Sequence, residues 1–130
     1  MVFGVGTDII DVERLSKPFG KKGVKRIFTE TELDFIWSGA SESTSFQRAA
    51  GNFAAKEAIV KAFGTGFVGM NPSDIEVLRR ESGAPYVRLY RGAKKFVKEN
   101  NITKIHISIS NLKSYSTAVA VCEAEEITEE

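Results

Sequence analysis

The chain has 130 residues, a formal net charge of +1, 42% hydrophobic residues and 27% charged residues. This length and composition indicate a single globular domain and exclude a chain that is disordered throughout. No apolar run approaches the roughly 20 residues needed to span a bilayer, and no basic segment with a cleavage site precedes the first strand-like pattern. We therefore expect neither membrane insertion nor secretion, and the single cysteine, Cys122, favours a reduced, cytoplasmic protein.

Charge is distributed unevenly along the chain. Six basic residues and no acid lie between positions 14 and 28, namely Arg14, Lys17, Lys21, Lys22, Lys25 and Arg26. From Glu123 onward there are five glutamates and no base. A solvated loop with a frayed acidic tail would explain this pattern, and so would a basic docking surface for an acidic protein. The near-neutral total and the lack of a recognisable module argue against nucleic-acid binding.

Hydrophobic spacing and turn residues predict the elements in chain order. They are a strand over residues 2–10, a short helix after Asp11, a helix opened by the Thr29 and Glu32 capping box, a loop, a long helix over about 46–63, a hairpin over about 75–90, a helix over about 93–100, and a hairpin over about 105–121. This order predicts an α+β fold with a largely antiparallel sheet and helices packed on one face. We expect one domain over residues 1–124 and an acidic tail over 125–130.

Two carboxylates occupy unusual positions in this pattern. Asp8 shares a strand face with Gly4 and Gly6, which leave room for a close approach to the backbone. Glu57 lies within the apolar stripe of the long helix, where an unpaired carboxylate would be costly to bury. One Mg²⁺ ion would satisfy both acids, because magnesium is typically held by one or two carboxylates together with water and phosphate oxygens. Lys61 follows Glu57 by one helical turn, where it could reach the same phosphate.

Simpler interpretations of these residues stay open on spacing alone. Asp8 could cap a turn or a helix. Glu57 and Lys61 could form an ordinary exposed pair four residues apart, worth a few tenths of a kcal/mol.

Several motifs together resemble one enzyme family. They are Gly4-Val5-Gly6-Thr7-Asp8-Ile9-Ile10, Phe53-Ala54-Ala55-Lys56-Glu57-Ala58 with Lys61 and Gly64-Thr65-Gly66, Gly83-Ala84-Pro85-Tyr86, and His106-Ile107-Ser108-Ile109-Ser110. In order and spacing they closely resemble the small bacterial holo-acyl-carrier-protein synthases, which are phosphopantetheinyl transferases. The early aspartate combined with the helical Lys-Glu-Ala-x-x-Lys motif is the most specific part of the resemblance.

The resemblance implies an enzyme of fatty acid biosynthesis. Such enzymes transfer the 4′-phosphopantetheine group of coenzyme A to a serine of an acyl carrier protein and release adenosine 3′,5′-bisphosphate. By resemblance, Asp8 and Glu57 would hold Mg²⁺ against the coenzyme A pyrophosphate, and Lys61 would neutralise charge on the phosphates. Asp34 matches a family acid proposed to take the serine proton through water.

The resemblance also implies binding surfaces and an assembly. Coenzyme A contacts are expected from Lys61 and from Gly64, Gly66, Pro85, Ser110 and Asn111. Carrier-protein docking is expected from Arg14, Lys21 and Lys25, because acyl carrier proteins are strongly acidic. The small family type implies a homotrimer with active sites between neighbouring subunits.

Two positions depart from the family pattern. Asn52 stands where many relatives have Arg, and Asn111 stands where they have His; both are expected on the coenzyme A side. A catalytically weak relative that only binds carrier protein or coenzyme A is therefore an alternative. Magnesium-dependent cleavage of another pyrophosphate is a second one.

Overall fold

The computed structural model describes residues 1–16 and 26–126. Its elements in chain order are β1 (Val2–Asp11), α1 (Val12–Ser16), α2 (Glu30–Trp37), α3 (Glu42–Phe63), a 3₁₀ turn (Pro72–Asp74), β2 (Ile75–Arg79), β3 (Pro85–Leu89), α4 (Arg91–Glu99), β4 (Ile102–Asn111) and β5 (Tyr115–Ala124).

The strands form two antiparallel sheets. One sheet has three strands in the order β1-β5-β4, and the other is the β2-β3 hairpin. Helix α3 packs on one face of the three-stranded sheet and supplies much of the buried core. The predicted α+β class with helices on one face is confirmed, although the strands divide into two sheets.

The two glycines of β1 bring this strand into backbone contact with α3. A Cβ atom at Gly4 would lie 1.9 Å from the carbonyl oxygen of Ala62, and one at Gly6 would lie 1.9 Å from that of Ala58. No side chain fits in that space, which explains why glycine occurs twice within a strand. The close approach predicted from the sequence is therefore made by the helix, and it fixes β1 directly against the turns that carry Glu57 and Lys61.

The helix boundaries follow their capping residues. Thr29 accepts a hydrogen bond from the N–H of Glu32, and the Glu32 carboxylate accepts one from the N–H of Thr29, so the predicted capping box is confirmed. Helix α3 begins at Glu42, about one turn earlier than predicted, because Ser41 caps it by accepting from the N–H of Thr44. Gly64 ends the helix in the left-handed conformation.

The outer face of the three-stranded sheet carries exposed apolar side chains. Val5 and Ile9 of β1 are 58% and 63% exposed, and Val119 of β5 is 36% exposed. The opposite face of β5 is closed by Ala118, Ala120 and Cys122, which are buried against the core. One face of the sheet is thus packed and the other is open.

None of the helices in the described ranges is long and apolar enough to cross a membrane. Strand β5 ends at Ala124, and the N–H of Glu125 donates to the carbonyl oxygen of Asn101. The division into a domain of residues 1–124 and a tail stays a prediction.

Candidate active site

Asp8 and Lys61 meet at the edge formed by strand β1. The Nζ atom of Lys61 lies 2.8 Å from Oδ1 of Asp8 and donates to the carbonyl oxygen of Thr7 at 3.0 Å. The Asp8 side chain is 13% exposed, whereas the Lys61 side chain is 52% exposed. Lys61 therefore pairs with Asp8 on the neighbouring strand, and the simpler interpretation of a Glu57–Lys61 pair is wrong.

Asp8 keeps one oxygen without a partner. Its Oδ2 atom is buried and accepts no hydrogen bond from any described residue. A buried acceptor of this kind is costly unless a donor or a cation satisfies it. The position of Asp8 in the middle of strand pairing, opposite Ala118, also excludes the interpretation of Asp8 as a helix cap.

Glu57 lies close enough to Asp8 to experience its charge. Burial raises the pKa of Glu57, the negative charge of Asp8 raises it further, and Lys61 partly opposes both effects. Two like charges near a vacant carboxylate oxygen suit a divalent cation with oxygen ligands. The described residues contain no group of three or more His, Cys, Asp or Glu side chains that could hold a metal. A pair of carboxylates would still fit Mg²⁺, which is typically held by one or two carboxylates and completes its shell with water or phosphate.

An open groove of about 490 Å³ adjoins Asp8 and Lys61 and continues along the outer face of the sheet. It is lined by Thr7, Asp8, Ile9, Lys61, Ser108, Ser110, Thr117, Ala118 and Val119. Ser110, predicted to contact coenzyme A, is one of these residues.

The other residues predicted to contact coenzyme A lie in different surroundings. Gly64 and Gly66 donate their N–H groups to the carbonyl oxygen of Val60, so these two groups complete the end of α3. Both glycines face open space, because a Cβ atom added to either would have no heavy atom beyond its chain neighbours within 4 Å. Pro85 begins β3 opposite Arg79, in the second sheet. Their predicted roles stay predictions.

Asn111 faces the helix instead of the groove. Its Oδ1 atom accepts a hydrogen bond from the Ser116 hydroxyl at 2.9 Å. A Cβ atom on Gly51 of α3 would lie 2.6 Å from the same oxygen. Asn111 thus packs beside the first half of α3 and is not among the residues that line the groove with Lys61.

Asp34, the predicted proton acceptor, and Arg14, a predicted docking residue, lie on different elements from Asp8 and Glu57. Asp34 is exposed on α2, and Arg14 is exposed on α1. No hydrogen bond or ion pair within the described ranges joins Asp34 to Asp8 or Glu57. Lys21 and Lys25 lie outside the described residues.

Comparison with known proteins gives the relationship of the chain. Residues 4–120 match the family model of the 4′-phosphopantetheinyl transferase superfamily. The chain belongs to this superfamily. The resemblance inferred from the motifs is therefore confirmed, and so is the expectation of a transferase.

Two relatives illustrate how complete the match is. A holo-[acyl-carrier-protein] synthase of Lachnoclostridium phytofermentans is 44% identical over 124 residues, covering 95% of this chain and 97% of the relative. One from Clostridium perfringens is 42% identical over 131 residues, covering 96% of each chain.

Solved structures agree with the fold. A holo-(acyl-carrier-protein) synthase from Bacillus anthracis, crystallised in complex with CoA (3′,5′-ADP), has a TM-score of 0.80 and 34% identity over 96% of this chain and 99% of its own. The Helicobacter pylori enzyme in complex with coenzyme A has a TM-score of 0.76 and 26% identity, covering 92% of this chain and 99% of that one.

In this phosphopantetheinyl transferase, a second charged cluster lies inside the protein. Lys56 is completely buried, and its Nζ atom lies 2.6 Å from Oε1 of the equally buried Glu32. It also donates to the carbonyl oxygens of Pro72 at 2.9 Å and Ile75 at 2.6 Å. Burial lowers the pKa of Lys56 and raises that of Glu32, and the attraction between the two charges opposes both shifts. The pair joins α2, α3 and the start of β2.

Asn52 belongs to this buried cluster. Its side chain is 0% exposed and donates to Oε2 of Glu32 and to the carbonyl oxygen of Val77, both at 3.2 Å. Its own oxygen accepts from Nη2 of Arg79 at 2.9 Å. The Asn52 side chain is therefore enclosed by polar partners within the protein, and its expected position on the side facing coenzyme A stays a prediction.

Sequence reasoning missed this cluster in the transferase. It assigned Glu32 only to the capping box, where a single oxygen is used, and it treated Lys56 only as part of a motif. The available signal was the position of Lys56 and Asn52, which are four residues apart on one face of α3. Two polar residues on a helix face directed inward indicate a buried partner.

Proposed function

We propose that the protein transfers the 4′-phosphopantetheine group of coenzyme A to a serine of an apo acyl carrier protein and releases adenosine 3′,5′-bisphosphate. The observation that carries this proposal is the unsatisfied Oδ2 atom of Asp8 beside Glu57. Relatives that match nearly the whole chain are named holo-[acyl-carrier-protein] synthases, which supports the same reaction.

The reaction requires charge to be neutralised on a pyrophosphate. The serine hydroxyl oxygen forms a bond to the phosphorus that bears pantetheine, and the bond from that phosphorus to the bridging oxygen breaks. Positioning and electrostatic stabilisation supply most of the catalysis in phosphoryl transfer. Asp8 and Glu57 would hold Mg²⁺, which when bound neutralises the pyrophosphate oxygens. Lys61 is exposed enough to turn from Asp8 towards a phosphate oxygen.

The proton of the serine hydroxyl needs an acceptor. We assign this role to Asp34, an exposed carboxylate of α2 that could act through a water molecule. Replacement of Asp34 by Asn should then lower kcat and flatten the acidic limb of its pH profile. An unchanged pH profile would exclude the assignment.

Carrier-protein docking is assigned to the basic segment that begins at Arg14. Acyl carrier proteins are acidic, so lysine and arginine side chains there would steer association at low salt. Reversing Arg14 and Lys21 to Glu should raise the KM for the carrier protein and flatten its salt dependence, with kcat little changed. A KM equal to that of the wild type would refute this surface.

The proposal includes a homotrimer with active sites between subunits. The apolar side chains left open on the outer face of the three-stranded sheet support it, because such patches usually mark protein interfaces. The groove beside Asp8 and Lys61 continues onto this face, so a neighbouring subunit would complete it. A cytoplasmic location is also part of the proposal and is supported by the single, buried Cys122.

Mass spectrometry of the carrier protein tests the reaction. Apo carrier protein is incubated with the enzyme, coenzyme A and Mg²⁺, and we expect its mass to rise by one phosphopantetheine group. A carrier that binds without gaining mass would favour the catalytically weak relative. Release of adenosine 3′,5′-bisphosphate without modified carrier would indicate that water, instead of the carrier serine, attacks the coenzyme A pyrophosphate.

A further inference from the structure

Lys61 occupies the carboxylate to which the metal ion is assigned. Its Nζ atom lies 2.8 Å from Oδ1 of Asp8 and donates to the main-chain oxygen of Thr7 at 3.0 Å. The second Asp8 oxygen, Oδ2, is buried and has no hydrogen-bond partner among the described residues. Two cations on one carboxylate would lie close enough to repel each other strongly. The Lys61 ammonium and a divalent ion would therefore compete for Asp8.

The two members of this ion pair differ in their freedom to move. The Asp8 side chain is 13% exposed and lies on a strand that pairs with β5 along its length. The Lys61 side chain is 52% exposed and carries its ammonium on a flexible four-carbon stem. A divalent ion that binds Asp8 would therefore displace the lysine, whereas the aspartate would stay in place.

A displaced Lys61 has no second anion in the groove. Among the described residues that line the groove, Asp8 supplies the only carboxylate, and the other polar side chains are the neutral hydroxyls of serine and threonine. Glu57 experiences the charge of Lys61, which opposes the rise in its pKa caused by burial and by Asp8, but the proposed function assigns Glu57 to the same ion. A phosphate oxygen of a bound ligand would replace the carboxylate that Lys61 gives up.

We propose that Lys61 makes the Asp8–Glu57 site selective for a divalent ion that binds together with a diphosphate group. Lys61 blocks the site to the free ion and leaves Asp8 when a phosphate oxygen accepts its ammonium. The identity of the ion and of the diphosphate, that of coenzyme A, rests on the proposed function. Lys61 is thus a specificity-determining residue. By linkage, Mg²⁺ and coenzyme A each strengthen the binding of the other by the same factor.

A block by Lys61 differs from a simple effect of its charge. A fixed positive charge would oppose Mg²⁺ equally whether or not coenzyme A is bound, so its removal would strengthen Mg²⁺ binding equally in both states. Removal of a blocking lysine strengthens Mg²⁺ binding only in the free protein, because in the complex Lys61 has already left Asp8. A comparison of the two states therefore separates the block from the charge effect.

Calorimetric titration of Mg²⁺ measures both states without turnover. Mg²⁺ is added to the free protein and to the protein saturated with coenzyme A, without carrier protein, for the wild type, Lys61→Met, Lys61→Arg and Lys98→Met. Methionine removes the charge of lysine and keeps much of its length, whereas arginine keeps the charge. The control, Lys98, is exposed on α4. The Lys61 variants should fold, because a partly exposed ion pair contributes little to stability.

The effect of the substitution should depend on coenzyme A. Free Lys61→Met should bind Mg²⁺ about tenfold more tightly than the free wild type, whereas the two complexes with coenzyme A should differ by less than about threefold. Coenzyme A should therefore strengthen Mg²⁺ binding about tenfold more in the wild type than in Lys61→Met. Lys61→Arg should resemble the wild type in the free state, and Lys98→Met should match it in both states.

Three results would overturn the proposal. They are an affinity of free Lys61→Met for Mg²⁺ no higher than that of the wild type, an equal gain from the substitution in both states, and no Mg²⁺ binding in either state. The second result would show that Lys61 acts through its charge alone. Failure of the transfer reaction would appear separately, as a carrier protein without a mass gain, and would leave the titration result standing.

Discussion

Lys56 and Glu57 are neighbours in α3, yet their surroundings differ in almost every respect. Lys56 is completely buried, pairs with Glu32 and donates to two carbonyl oxygens. Glu57 is half-buried, has a pKa raised by burial and by Asp8, and lies near the Asp8 oxygen that has no hydrogen-bond partner among the described residues. The charges of Lys56 and Glu32 therefore have partners within the chain, whereas one carboxylate oxygen near Glu57 has none among the described residues.

The difference separates stability from function along a single helix. A buried ion pair with complete hydrogen bonding holds its elements in place, and removal of one partner leaves an uncompensated charge. A region that leaves acceptors unsatisfied and like charges close together is less stable than it could be, and such regions are typical of functional sites. Four experiments would test whether the two regions differ in this way.

The largest effect on stability is expected from Lys56→Ala. The change leaves the Glu32 carboxylate buried without its cation, so the free energy of unfolding should fall by about 3–5 kcal/mol. Urea denaturation measures the loss, and Lys61→Ala is the matched control, because its partly exposed pair should contribute less than about 1 kcal/mol. Equal, small losses in both variants would remove the distinction between the two regions.

Glu57→Gln should affect turnover as strongly as Lys56→Ala affects folding. The amide keeps the shape of the side chain and removes an anionic ligand, so we expect kcat to fall by about a thousandfold, or about 4 kcal/mol. The free energy of unfolding should not decrease. Glu42→Gln, at the exposed start of α3, is the control and should keep full activity. A Glu57→Gln enzyme with wild-type kcat would contradict the metal-binding role.

Mg²⁺ should stabilise the folded protein through Asp8. At about 100 times its dissociation constant, a ligand that binds only the folded state adds about 2.7 kcal/mol to the free energy of unfolding. Thermal denaturation should therefore show a higher Tm with Mg²⁺ for the wild type and for Asp34→Asn. Asp8→Asn should not respond, and a response equal to that of the wild type would show that the ion binds elsewhere.

The smallest effect is a pH dependence of stability at Glu57. Its folded-state pKa is raised above the ordinary value of 4.5, so the folded state holds this proton more tightly than the unfolded state does. The associated stability is present below pH 4.5 and is lost as the pH rises through the raised folded-state pKa. Glu57→Gln should escape this loss and, in metal-free buffer at neutral pH, be more stable than the wild type by no more than about 1 kcal/mol, because water screens a partly exposed group. If the free energies of unfolding of the wild type and Glu57→Gln differ by the same amount at every pH from 4 to 8, this prediction is contradicted.

The sequence predicted most of the fold because its signals are local. The Thr29 and Glu32 capping box, the glycine that ends α3 and the alternation of β4 each depend on residues within a few positions of one another. Glu57 was recognised for the same reason, since an acid within an apolar stripe can be identified from the helix alone. The start of α3 at Glu42 was missed because the polar residues after Ser41 resemble a loop.

The partners of the charged residues could not be predicted, because they come from distant parts of the chain. Lys56 meets Glu32 across 24 positions, and Lys61 meets Asp8 across 53. Helical spacing offered Lys61 a nearer partner in Glu57, and only the packing of β1 against α3 favours Asp8. The same limit applies to Asn52, because its hydrogen-bond partners Glu32, Val77 and Arg79 all lie on other elements.

The backbone contact between β1 and α3 has a consequence for the choice of metal ion. With hydrogen atoms alone at Gly4 and Gly6, the main chain of β1 lies directly against the backbone of Ala58 and Ala62, on the helix that carries Glu57. Mg²⁺ requires oxygen ligands at 2.0–2.1 Å, whereas Ca²⁺ accepts 2.3–2.6 Å. A methyl group at either glycine would force the strand outward and would widen the site if Asp8 and Glu57 hold an ion between them. The preference of such a site for Mg²⁺ over Ca²⁺ would then depend on Gly4 and Gly6, which have no side chain on the strand face that packs against the helix.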